Sequence, residues 1–344
     1  MIMIINNIRW LCIVSVLLSS CGDKKNIPDV SNIQVSVKIE RFDISFFACD
    51  TNHFEAGLRQ LNQQYPYFFT DFTANILGVG ILTDTSRGAF EATRQFLTSY
   101  LPVEDSLRLR YDRIDWLEKE LKKSFQFVKY YFPDYRLPQR VVIYTGPFDA
   151  PGVAITDHAL GIGLQLYAGR NFSFYNSMQG QEMYPSFISR RFEPEYINVN
   201  CVKAMIEDLF PDKNGDRPLI EQMVEKGKYW YLADLLLPTT PDSLNTGFTH
   251  SQMEWCRANE GLIWNYFLQG ENILYTIDPD LIKNYMGEAP ITQGMPAQSP
   301  GNIGQWVGWR IVRKYMENNP AVSPTQLMNM DPRKIFEETK YKPK

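Results

Sequence analysis

The chain has little histidine and little cysteine. His53, His158 and His250 are its only imidazoles in 344 residues, and five cysteines are spread over the same length. No two histidines stand four apart, so a zinc helix of the HExxH type is excluded. Beyond Cys12 and Cys21 there remain Cys49, Cys201 and Cys256, without C-x-x-C spacing. That excludes a cysteine zinc cluster and a disulfide framework; at most one bridge can form, and three buried free thiols are expected. A basic tract is missing as well. Lys and Arg number 35 against 39 Asp and Glu, and the net charge of −4 is interspersed, so nucleic acid is not an expected partner. No apolar run reaches the roughly 20 residues that a membrane-spanning helix needs.

The apolar run that is present is short and stands at the start. Arg9 precedes Trp10–Leu18, and small residues follow, which is the layout of a secretory signal. The run closes Leu18-Ser19-Ser20-Cys21-Gly22, which resembles a bacterial lipobox. The resemblance implies a signal peptide over residues 1–20, lipid on the Cys21 thiol and, after cleavage, on the new amino group. The mature chain is then a cell-envelope protein, lipid-anchored to the inner or outer membrane and facing the periplasm. Several acyl chains on one residue exceed what stable anchoring requires, since each buried methylene adds about 0.8 kcal/mol. Residues 21–35 are polar without an apolar period and read as a flexible tether.

Residues 36–344 carry enough apolar side chain for one large domain. Val35-Ser-Val-Lys-Ile-Glu-Arg-Phe42 alternates as a half-buried strand does. A helical part follows over about 50–135, with helices near 68–77 and 87–101 and a long one whose face is Ile114, Leu117, Leu121, Phe125 and Val128. A small central sheet is expected over about 139–167, with strands at 139–145, 152–156 and 160–167. From about 183 to 340 the pattern is helical again, in pieces near 185–191, 194–210, 218–237, 252–269, 279–285, 301–318 and 332–339. Asp278-Pro279 and Asp331-Pro332 set an N-cap acid before an N1 proline. The fold class is α+β, helix-dominated, a single large domain with a small sheet at its centre.

A sheet followed by two long helices resembles the order of gluzincin-type zinc peptidases. Helix 194–210 contains no histidine. In helix 218–237, Lys226 precedes Gly227 where such a peptidase carries a glutamate ligand. The arrangement is therefore read as degenerate, with no metal and no cofactor expected.

A more extensive resemblance lies at the carboxyl end. Pro296-Ala-Gln-Ser-Pro-Gly-Asn-Ile-Gly-Gln-Trp-Val-Gly-Trp-Arg310, continuing to Pro320, with Leu327-Met328 and Lys334–Pro343, is similar to the gliding-motility lipoprotein GldB family of Bacteroidetes. Ile39-Glu-Arg-Phe-Asp43, Tyr65-Pro66, Gly161-Ile-Gly-Leu164, Pro185–Phe192 and Gly227-Lys228 agree with it. The resemblance implies a lipoprotein related to the gliding machinery. It supplies no biochemical activity.

The expected function is a non-catalytic scaffold or binding module, held to the membrane through Cys21 and meeting an envelope protein partner. Candidate binding residues are Arg190, Arg191, Glu195, Lys226, Trp306 and Arg310. Four of them have a plainer account: Arg190, Arg191 and Glu195 as a solvated helix junction, and Trp306 as space-filling beside a flat packing face made by Gly304 and Gly308. Phe172, Phe174, Tyr175, Tyr184 and Phe187 would suit a groove or a core edge equally. Two rivals stand beside this reading. One is a divergent hydrolase using Glu195, Glu207, Asp208 or His158, although Glu207 and Asp208, being adjacent, point to different helix faces. The other is a purely structural subunit of a motility or secretion complex.

Overall fold

The computed structural model describes residues 27–83, 87–212, 215–269 and 272–343. Cys21 and the signal peptide lie outside the described residues.

From the amino end, β1 (Ile39–Arg41) leads into α1 (Phe42–Phe47), followed by α2 (Phe54–Gln64), α3 (Phe69–Asp71), a π-helical turn (Phe72–Ile76), α4 (Arg87–Arg110) and α5 (Asp115–Tyr131). β2 (Arg140–Tyr144), β3 (Val153–Ile155) and β4 (Ala159–Gly163) come next, then α6 (Met178–Met183), α7 (Ser186–Ser189), α8 (Glu195–Leu209) and α9 (Leu219–Leu236). The remainder is α10 (Asp242–Thr246), α11 (His250–Ala258), α12 (Glu260–Gln269), α13 (Pro279–Met286), α14 (Ile303–Asn318), α15 (Pro324–Asn329) and α16 (Pro332–Thr339).

The sheet runs β1-β2-β4-β3, with β1 and β4 parallel to β2 and the edge strand β3 antiparallel to β4. β2 is buried on both faces, which is why Val141, Val142, Ile143 and Tyr144 form an unbroken apolar run and do not alternate. Val141, Ile143, Leu160 and Ile162 pack with α5, α8 and the second half of α9. Val142, Tyr144 and Ala159 on the other face meet Phe42, Phe46, Phe68 and Phe72, whose rings contact mostly edge to face.

A third core is helical. α9 packs into two cores, because Leu219, Ile220, Met223 and Val224 belong to this core while Leu232, Ala233 and Leu236 belong to the first. It crosses α14 at backbone contact: a Cβ on Gly308 would lie 1.6 Å from the Met223 carbonyl oxygen, and one on Gly227 2.3 Å from the Gly308 carbonyl carbon. The flat glycine face is thus a helix-packing surface, and Trp306 and Trp309 are buried around it.

Several boundaries differ from expectation. The fourth strand is Ile39–Arg41, not the segment from Val35. α4 does not stop at Leu101 but continues through Pro102, because Glu104 and Leu107 beyond the proline are buried with Phe90, Thr93 and Leu97; that burial outweighs the roughly 3 kcal/mol of an interior proline. The single helix expected over 252–269 is two, broken at Asn259, with a Thr249/Gln252 capping box opening the first. The three described thiols are free; Cys201 and Cys256 are buried as expected and Cys49 is half-buried.

Candidate functional site

α8 buries Ile197, Cys201, Val202, Met205 and Ile206. Lys203 and Glu207, four apart, share the face left over. Opposite them α9 presents Lys226, Tyr229 and Trp230, and α14 contributes Gln305 at its first turn. Together with Ile206 these side chains enclose a cleft of about 190 Å³. The helices around Lys203 and Lys226 therefore do frame a cavity.

Its charge is set by lysines. Burial pushes the Lys203 amine down to about 8, and the nearby Arg191 acts in the same direction against Glu288 and Glu207. Lys203 has no hydrogen-bond or ion-pair partner among the described residues. Lys226 is held by Asp212 at 2.7 Å, with its Nζ 5.3 Å from the Tyr229 ring centroid. Gln305 is fixed by donating to the Met286 carbonyl at 2.7 Å. Two cations and one flanking carboxylate do not make a donor set for a divalent metal. Among the described residues no three His, Cys, Asp or Glu side chains come together to hold one. His53 pairs with Asp50 and His250 with Glu254, while His158 is exposed in the β3–β4 turn.

The other candidates lie elsewhere. Arg190 donates to the carbonyls of Phe187 and Gly247, and Arg191 pairs with Glu288 at 2.9 Å. The space left beside them is about 10 Å³, room for one water at most, so they act as staples, Arg190 from α7 to the α10–α11 turn and Arg191 to the segment between α13 and α14. Arg310 grips Glu260 with two bonds, at 2.7 and 3.1 Å; the carboxylate it holds is the protein's own. Trp306 is fully buried in the helical core. Glu195 lines a different cavity, at the amino end of α8. Asp208 accepts from the Tyr135 hydroxyl while Glu207 faces Lys203, on different helix faces as their adjacency requires. The aromatic group near the centre is a core edge: Tyr175 is fully buried and Phe174 stacks on Phe148.

Sequence patterning passes over two buried polar groups on α9. Lys228 reaches Glu225 and the Met330 carbonyl, both at 2.6 Å, and ties α9 to the chain between α15 and α16. Asp234 accepts from Trp309 Nε1 at 2.8 Å and from Asn245. A charged residue inside an otherwise apolar helix was the available signal for both.

The fold and this cleft define a helix-dominated α+β protein with a lysine-lined cavity between its two central helices. Among the described residues no helix is long and apolar enough to cross a membrane. The family model described as gliding motility protein GldB matches residues 23–343, and the chain belongs to that family of gliding-motility lipoproteins. No curated protein and no solved structure matches it.

Proposed function

We propose that this protein is a non-catalytic binding module of the cell envelope, anchored through lipid on Cys21, and that the cleft between α8 and α9 receives an anionic group of its partner. The observation that carries the reading is Lys203: an ammonium in a cavity with no hydrogen-bond or ion-pair partner among the described residues, Glu207 and Glu288 acting on it only at longer range, beside the second cation Lys226. A buried charge left unpaired is costly, and a ligand carboxylate or phosphate offsets that cost. Trp230 and Tyr229 give the ligand an apolar flank, and the cavity is sized for one small acidic group.

Titration of the purified protein with inorganic phosphate and with an end-blocked glutamyl dipeptide tests this by calorimetry. Saturable binding of at least one, weakened about tenfold in Lys203→Gln, is expected, in line with the loss of a charge-assisted bond. Equal affinity in wild type and variant overturns the anion reading. About one tightly bound zinc per purified chain overturns the non-catalytic one.

A further inference from the structure

A second and larger cleft, of about 470 Å³, lies between α5, the amino end of α8 and the carboxyl end of α9. Its volume falls within the roughly 300–1,000 Å³ of ligand sites. Its charge is opposite to that of the Lys203 cavity. Glu120 of α5 and Glu195 of α8 both line it, and burial together with the charge of Glu195 pushes the Glu120 carboxyl above its ordinary range. Neither carboxylate has an ion-pair or hydrogen-bond partner among the described residues. Arg170, which senses Glu195, is taken by Glu193 at 2.7 Å; Lys123 also lines the cleft, with its Nζ 5.2 Å from the Phe127 ring centroid and no ion pair to either glutamate, so the two carboxylates outnumber the one cation. The carboxyl end of α9 adds the negative pole of a helix dipole, and Pro238 has no N–H with which to neutralise its last carbonyls.

The floor supplies an independent observation. Asn198 is only 7% exposed, and its Oδ1 accepts the Ser124 hydroxyl at 3.0 Å. Its Nδ2 has no protein partner and borders the cleft. Such a donor calls for an acceptor, which neither a guanidinium nor an ammonium possesses. The complement is therefore a cation attached to a carbonyl, as in a peptide. Trp116 supplies an aromatic face suited to the stem or plane of a basic side chain.

We propose that this cleft binds a basic residue of a protein partner, its head between Glu120 and Glu195, its stem along Trp116, and its backbone carbonyl accepting from Asn198. Arginine fits best, since its planar fork matches carboxylates and stacks on indole. The site is separate from the Lys203 cavity and does not rest on it.

Calorimetric titration of the full chain with acetyl-Gly-Arg-Gly-amide, against the same peptide carrying neutral citrulline, tests the proposal. Saturable binding of the arginine peptide is expected, at least about tenfold weaker in E120Q/E195Q and for the citrulline peptide, as loss of close charge partners dictates. Asn198→Ala should weaken the arginine peptide, and Lys203→Gln should leave it unchanged. Both glutamates are exposed, so the double variant should fold, and an unchanged circular dichroism spectrum checks that it does. Absent binding, equal binding of the citrulline peptide, or an unaffected double variant each overturns the proposal. So does tighter binding of calcium chloride that displaces the peptide, which makes this a metal site.

Discussion

Replacing Glu104 by glutamine should remove a pH dependence built into the centre of the protein. α4 carries this residue past Pro102 to the carboxyl end of β2, where it is fully buried. Its Oε2 accepts from the Thr145 hydroxyl at 2.7 Å, and its Oε1 has no partner. Burial, then the negative charge of nearby Asp43, pushes the Glu104 carboxyl up from 4.5 to about 7. Between these two values the folded state keeps a proton that the unfolded chain has released. Stability therefore falls as pH rises from about 4.5 to about 7 and levels off above. A rise from 4.5 to 7, at 1.36 kcal/mol per tenfold, amounts to roughly 3 kcal/mol. Glutamine stays neutral and still offers Thr145 an acceptor, but it adds a second N–H without a partner, a penalty of about 1 kcal/mol. The wild type has already lost about 0.8 kcal/mol at pH 5, so the variant should lie within about 0.5 kcal/mol of it there and be about 2 kcal/mol more stable at pH 8. Urea unfolding at the two pH values measures the difference. An E104Q protein that tracks wild type within about 0.5 kcal/mol at both refutes the reasoning, because Glu104 would then ionise freely in the fold.

Gly308→Ala should destabilise by at least about 2 kcal/mol, since overpacking at the Met223 carbonyl exceeds the roughly 1 kcal/mol gained in helix propensity. Gly88→Ala, with open space around it, should be neutral or stabilising by up to about 1 kcal/mol in the same urea assay, and equal effects at the two sites would contradict the α9–α14 contact. The Lys203 amine, pushed down to about 8, must be protonated to hold an anion, so anion affinity should fade as pH rises through 8. A pH-independent affinity measured from pH 6.5 to 9 would remove Lys203 from that site. Cys21→Ala should release a still-folded domain from the membrane fraction, and retention of the variant in washed membranes would count against the lipid anchor.

How legible the fold was depended on how local its causes are. The long apolar face of α5 could be read from spacing alone, and Leu117, Leu121, Phe125 and Val128 are all fully buried. Asp278 and Asp331 each cap the following helix by accepting backbone N–H bonds, as an acid before proline announces. The four-residue spacing of Gly304 and Gly308 marked a packing face before any partner helix was known. The proline at 102 misled, because a residue's local preference is worth a few kcal/mol at most, while burial of Glu104 and Leu107 depends on chain far away.

The clefts belong to that second kind of cause. Arg190, Arg191 and Arg310 read as available charges and are each occupied by groups 50 or more residues distant in the chain. Lys203 and Asn198 read as ordinary helix residues, yet among the described residues one has no close ion-pair partner and the amide N–H of the other no acceptor. By itself the sequence determined the family and the helix-dominated α+β class, because residue identity and near-neighbour spacing are enough for those. Only the tertiary structure decided which charges remain open, since neutralising a charge takes a partner within a few ångströms in space, and position along the chain does not supply that distance.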